Sequence, residues 1–285
     1  MRGRSVIVVG TAKNAGKTTT FNALRAVAHR SGTTIAVTSI GRDGEAFDAL
    51  DAAVKPRIRL PAGTFVALAA ALVPRSPAFA IVGAGDDGAL GATVFARVVL
   101  TTTCELAGPP TARGMRRTID RLHALCPGPV IVDGAIDRIA PLAGGDDAVI
   151  VATGAASGAT IARVAEVAAE TVARLTVPAR DPARERGRVV IVTGALDARD
   201  AEELLRDARA ATVVVEDPTR IAVRGALFAQ LRATVDLRCE RPLRVVACTT
   251  SSHGRATTLA PRELVAAVAR ATGLPAFDVL ADLVA

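Results

Sequence analysis

The sequence predicts an α/β fold, a mostly parallel sheet with helices on both faces, with a smaller C-terminal α/β portion. Three observations predict it. Short apolar runs rich in Val and Ile alternate with longer helical segments along the chain, the pattern of parallel strands joined by crossover helices. The 285-residue chain is 50% hydrophobic but contains no Trp, no Tyr and only seven Phe, so its core must be aliphatic, as in strands covered by alanine-rich helices. A glycine-bearing loop joins the first strand to the first helix, as in sheets that bind ligands at their strand ends.

The elements follow in order. Residues 5–9 form an apolar run bounded by Gly10, and Lys17 to Arg30 reads as a helix stopped by Gly32. Thr34 to Ile40 is a second strand, leading into the polar turn Gly41-Arg42-Asp43-Gly44 and an acidic stretch, Glu45 to Asp51. Arg57 to Leu60 reads as a short strand, Thr64 to Leu72 as a helix and Ala78 to Val82 as a strand. Gly83 to Gly88 reads as a turn-rich break, and Thr93 to Thr103 as an antiparallel hairpin arm. A helix is expected over Thr111 to Leu125, stopped by Pro127, then a buried strand from Pro129 to Val132 that delivers Asp133. Ala148 to Ala152 is the next strand and Gly158 to Leu175 a long helix. The charged, proline-containing stretch from Pro178 to Gly187 marks a boundary between a domain over residues 1–180 and a region over 188–285, separate or continuous with the same sheet. Beyond it the alternation resumes, with strands at Val189 to Val192, Thr212 to Val215 and Leu243 to Ala247, and helices at Ala201 to Ala210 and Pro261 to Ala271.

Composition excludes several function classes. The net charge is +7, but the arginines are scattered, with Arg113, Arg116, Arg117 and Arg121 the densest group. Scattered charge lacks the basic stripe of a polyanion-binding face, and there are few aromatic rings on which to stack bases, so no nucleic-acid partner is expected. Cys104, Cys126, Cys239 and Cys248 form no C-x-x-C pair and read as buried residues of a reduced compartment. No apolar stretch approaches the ~18 residues of a membrane span, and the N-terminal apolar run is too short for a signal peptide. The expectation is a cytoplasmic protein with no membrane partner.

The chemistry concentrates in Gly10-Thr11-Ala12-Lys13-Asn14-Ala15-Gly16-Lys17-Thr18-Thr19. A strand, a glycine-bearing loop and a helix in that order aim backbone N–H groups and the positive end of a helix dipole at an anion. Gly16 lets the backbone approach phosphates, Lys17 reaches the β- and γ-phosphates, and the Thr18 hydroxyl ligates Mg²⁺. This is a P-loop reading, with Gly10, Thr11, Lys13, Asn14, Ala15, Gly16, Lys17, Thr18 and Thr19 around the phosphates. The strict pattern G-x-x-x-x-G-K-[ST] is not met, because Thr11 holds its first glycine position and Gly10 sits one residue earlier. The second carboxylate for Mg²⁺ is expected at the end of a buried strand. Asp133 fits, with Asp137 as a water-positioning partner; the competing reading is that Asp133 caps the following turn. Asp43 is the other candidate for catalysis and metal, or a turn residue beside Gly44. Gly154-Ala155-Ala156-Ser157-Gly158 reads as a small-residue turn or a second anion site, and His253 as a residue that could line the cleft.

The segment from Gly10 to Thr18 resembles the loop of dethiobiotin synthetase and the cobyrinic acid amide synthases, which also carry Gly-Thr one step before the strict pattern. Their P-loop class includes the nitrogenase iron protein and the signal-recognition GTPases. Lys13 is similar to the extra lysine of that class, but it lies one residue too close to Lys17 for an intersubunit role and reads as a solvated loop lysine. The resemblance leaves a homodimer open, and ATP as the nucleotide with GTP not excluded.

A broader resemblance runs through Thr38-Ser39-Ile40-Gly41-Arg42-Asp43-Gly44-Glu45, Lys55-Pro56-Arg57, Leu60-Pro61-Ala62-Gly63-Thr64, Val132-Asp133-Gly134-Ala135-Ile136-Asp137-Arg138 and Val215-Glu216-Asp217-Pro218-Thr219. These segments look like those of P-loop proteins associated with B12-dependent lysine or ornithine aminomutases, ATPase subunits that reactivate the mutase by exchanging damaged cobalamin. The resemblance implies an Mg²⁺-dependent nucleoside triphosphatase, a hydrolase acting on a protein partner, either the aminomutase or a reactivase subunit. The alternatives are an ATP-dependent ligase activating a small carboxylate, as dethiobiotin synthetase does, and a regulatory nucleotide-binding module with negligible turnover.

Overall fold

The computed structural model describes residues 5–40, 58–73, 77–88, 91–109, 111–134, 145, 147–185, 187–207, 210–254 and 257–285. By density of internal contact the chain divides into two compact units, Met1–Gly10 with Gly16–Pro141, and Thr11–Ala15 with Leu142–Ala285. Both are α/β, with mostly parallel sheets flanked by helices.

In the first unit β1 (Ser5–Gly10), β2 (Ala36–Ser39), β4 (Phe65–Ala69) and β8 (Val130–Asp133) are parallel, in the order β1-β8-β2-β4. The last strand in sequence thus lies between the first two. Antiparallel β6 (Gly91–Val98) and β5 (Phe79–Gly88) extend the sheet beyond β4, and β3 (Ile58–Leu60) pairs with β7 (Thr102–Cys104) in a separate ribbon. Helix α1 (Lys17–Arg30) ends as predicted, with Gly32 at φ 66° accepting the left-handed turn that closes it. Its Phe21 is fully buried with Val37, Val66, Leu68, Val98 and Ile131, alternate residues from one face of the sheet. Helix α2 (Ala112–Leu125) starts at Thr111, whose hydroxyl accepts the Gly114 N–H, and buries Met115, Ile119 and Leu122.

Two expectations fail here. Residues 65–69 form a strand, with only a single 3₁₀ turn (Ala70–Leu72) after it. Val66, Ala67 and Leu68 have no exposure, so the strand is covered on both faces, and an apolar run without alternation cannot be told from a buried helix by its period. Residues 83–88 do not break the chain but continue β5, paired to β6 with register shifts between Ile81 and Gly83 and between Ala84 and Asp87. The glycines there serve bulges rather than a turn. A Cβ on Gly85 would stand 3.0 Å from the Phe95 ring.

In the second unit β9 (Ala148–Gly154), β13 (Arg244–Ser251) and β14 (Ala276–Asp278) are parallel, with antiparallel β15 (Leu283–Val284) at the edge. Helices α3 (Ile161–Leu175) and α6 (Pro261–Thr272) pack on one another. A second, wholly parallel sheet of β10 (Arg188–Val192), β11 (Ala210–Val215) and β12 (Asp236–Cys239) carries α4 (Ala198–Arg206) and α5 (Gly225–Thr234). Its core of Val213, Val215, Ile221, Phe228, Leu231 and Leu237 also takes in Val177. The strand β12, the helix α5 and the final hairpin partners were not foreseen.

The four cysteines are buried and free. Burial pushes the Cys104 and Cys248 thiols up to about 11 and Cys239 to about 12, and raises Cys126. Among the described residues no helix is long and apolar enough to cross a membrane.

Candidate functional site

The loop after β1 divides its work. In the second unit, Thr11 donates its amide to the Ala152 carbonyl (2.9 Å), and its hydroxyl meets Thr153 Oγ1 (3.0 Å) and Ser157 Oγ (2.6 Å). With its own donor consumed, Thr11 anchors the loop. The next four residues turn tightly, the Ala15 N–H donating to the Ala12 carbonyl (3.3 Å), and Ala15 is buried while Lys13 and Asn14 are exposed. Asn14 has φ 63°, a left-handed conformation that Asn tolerates better than most residues.

In the first unit, Gly16 caps α1 with φ 96° and ψ 12°, and it brings no side-chain oxygen to the helix amides. The first N–H groups of a helix have no internal acceptor. Those of Lys17, Thr18 and Thr19 are therefore offered outward, alongside the positive end of the helix dipole. No acidic residue in the first turn competes for them. Lys17 is half-buried and, among the described residues, has no ion pair. Thr20 closes the first turn, its amide (2.9 Å) and hydroxyl (3.1 Å) both donating to the Gly16 carbonyl.

Asp133 ends β8 and is half-buried. It lies level with Val8 of β1 on one side and Ser39 of β2 on the other, since β8 runs between them. The Gly134 N–H donates to the Val8 carbonyl (3.0 Å) and the Ile40 N–H to the Asp133 carbonyl (2.9 Å), fixing the backbone on both sides of the carboxylate. Asp133 thus stands at the carboxyl edge of the parallel strands β1, β8 and β2, the edge at which open α/β sheets take ligands. The donor set suits its expected occupant: uncapped amides and a lysine without an ion pair among the described residues fit phosphate oxygens, and a hydroxyl and a carboxylate are hard oxygen ligands of the kind Mg²⁺ takes. Asp43 and Asp137 lie outside the described residues. Among those described, no three His, Cys, Asp or Glu side chains converge as a metal centre.

Other sequence candidates resolve differently. The 154–158 stretch is a structural turn. The Ala155 N–H goes to the Ser251 carbonyl (2.9 Å), Ser157 N–H to the Gly154 carbonyl (2.7 Å), and Thr160 caps α3 by accepting from the Arg163 N–H. Gly154 is obligatory, because a Cβ there would lie 2.2 Å from the Ser251 carbonyl oxygen. His253 is exposed just after β13, its Nδ1 3.1 Å from the Ser252 hydroxyl. Glu216 and Asp217 brace their own turn. Asp217, fully buried, accepts from the Thr219 amide and hydroxyl, while hydrogen bonding from Arg220 holds the Glu216 carboxyl below its usual range. No local pattern signals the hydroxyl staple on Thr11, although Ser157 belongs to the small-residue stretch 154–158.

Comparison with protein-family models, curated proteins and solved structures finds no match to this chain.

Proposed function

We propose that the protein is an Mg²⁺-dependent P-loop nucleoside triphosphatase, with ATP the expected nucleotide, working in the cytoplasm on a protein partner. One observation carries the reading: a buried strand runs through a tight loop into a helix whose first amides are uncapped and whose first residue is Lys17. An anion satisfies all of these groups together, and a triphosphate brings Lys17 the counter-charge that no described residue supplies. In this reading the first amides of α1 and Lys17 hold the phosphates, Thr18 and Asp133 hold Mg²⁺, and Thr11 anchors the loop. The partner follows from the resemblance to aminomutase-associated ATPases, which implies a cobalamin-dependent aminomutase or its reactivase subunit. Hydrolysis by the purified chain with Mg²⁺ and ATP, alone and then with the aminomutase, tests the proposal. Slow basal turnover raised by the partner is expected. Stoichiometric product formation from ATP and a small acid would replace this reading with a ligase.

A further inference from the structure

The second unit contains a cleft of about 350 Å³ lined by residues that include Thr11, Arg163, Glu170, Arg174, Arg224 and Gly225. Its volume is in the range of small-ligand pockets, about 300–1,000 Å³. Arg174 is the unusual member. It is only 4% exposed, its Nη1 donates to the Ile221 carbonyl (3.3 Å), and its Nε has no hydrogen-bond partner. Burial, with Arg224 adding to it, lowers its pKa to about 10. Glu170 attracts it but forms no ion pair with it among the described residues. A guanidinium taken out of water without a carboxylate in contact is costly, and an oxyanion is the group that relieves it.

Two further features converge on the same cleft. Helix α5, ten residues long, starts there at Gly225 after Arg224, with no side-chain cap on its first amides. Gly225 has φ 63°, and a Cβ at that position would meet nothing within 4 Å, so the backbone lies open. Arg163 is already paired with Glu166 (2.7 Å), which leaves Arg174 and Arg224 beside the helix end without an ion pair among the described residues.

We propose that this cleft is a binding site for a small oxyanion, a phosphate or carboxylate group, held by Arg174, Arg224 and the first amides of α5. The site uses neither Lys17 nor Asp133; of the residues in the nucleotide reading it shares only Thr11, the loop anchor, on its wall. Calorimetric titration of the nucleotide-free full chain with inorganic phosphate, and separately with acetate, tests it at low salt. Binding should persist in Lys17→Ala and weaken about tenfold or more in Arg224→Ala, an exposed position whose loss leaves the fold intact. Arg174→Met, checked for folding by circular dichroism, should weaken it further. Tighter phosphate assigns a phosphorylated ligand and tighter acetate a carboxylate. No binding of either anion by the wild type, equal binding in Arg224→Ala, or loss in Lys17→Ala alone would each overturn the site.

Discussion

Two strand–loop–helix passages in this protein follow the same grammar and end in opposite states. β1 passes through Gly10 and Gly16 into α1, and β9 passes through Gly154 and Gly158 into α3. In the second passage, glycine is required by the close approach of Ser251, the turn amides are spent on carbonyls, and Thr160 caps the helix. In the first, glycine occupies the cap itself in a left-handed conformation, and the helix amides beyond it are left without a side-chain acceptor. A glycine-rich strand-to-helix loop is therefore not a binding site by composition. What separates the two is where the orphaned N–H groups go.

The comparison can be broken most directly at Lys17. Lys17→Ala removes the charge that distinguishes the first passage, and triphosphate affinity should fall by about 10²-fold with the melting temperature unchanged, given what a hydrogen bond to a charged group contributes. A fluorescent ATP analogue titrated with Mg²⁺ reads this, and equal affinity in wild type and variant would reduce the first passage to a turn like the second. Asp133→Asn keeps the shape of the strand end but removes its charge. Turnover should drop on the order of 10²-fold while metal-free nucleotide affinity holds. If the variant hydrolyses at the wild-type rate, Asp133 is a backbone element of the sheet edge only.

The second passage should respond in stability instead. Gly154→Ala forces a methyl against the Ser251 carbonyl and is expected to destabilise the fold by roughly 1–3 kcal/mol. Thr160→Ala strips the α3 cap at a cost of about 1 kcal/mol. Urea unfolding measures both, and nucleotide affinity should be untouched in Thr160→Ala; a loss of affinity there would show that α3 serves the ligand as well. The effect seen only in alkali concerns the buried thiols. Their folded values lie above the ordinary 9.0, so the stability they carry is whole below that pH and is lost as pH rises through about 11. Melting temperature followed into alkali should fall across that window, and a flat profile would mean that the thiols titrate as if exposed.

Much of the fold was legible because its elements carry their own punctuation. α1 is bounded by Gly16 and Gly32, α2 opens at Thr111, and β8 runs apolar into Asp133, each read at or within a residue of its place. β4 was misread because a strand buried on both faces shows no alternation, and β5 because bulge glycines look like turn glycines. α5 and β12 were missed for a related reason. Their buried positions are few, Phe228 and Leu231 in the helix and Leu237 and Cys239 in the strand, too few to set a clear period over such short elements. At the candidate site the residues of the loop and Asp133 were named in advance from their types and spacing. The anchoring of Thr11 through Thr153 and Ser157 was not, since it joins positions more than 140 apart in sequence and no local pattern announces it.

The irregular pairing of β5 has a consequence for life in a crowded solution. As the last strand of its sheet it has, among the described residues, no partner along its outer edge, and Ile81 and Val82 there are 63% and 40% exposed. A flat ribbon of that kind recruits strands from other molecules and seeds aggregation. The register shifts between Ile81 and Gly83 and between Ala84 and Asp87 spoil a flat template, so the glycine-rich irregularity that disguises the strand in the sequence also guards it against its neighbours.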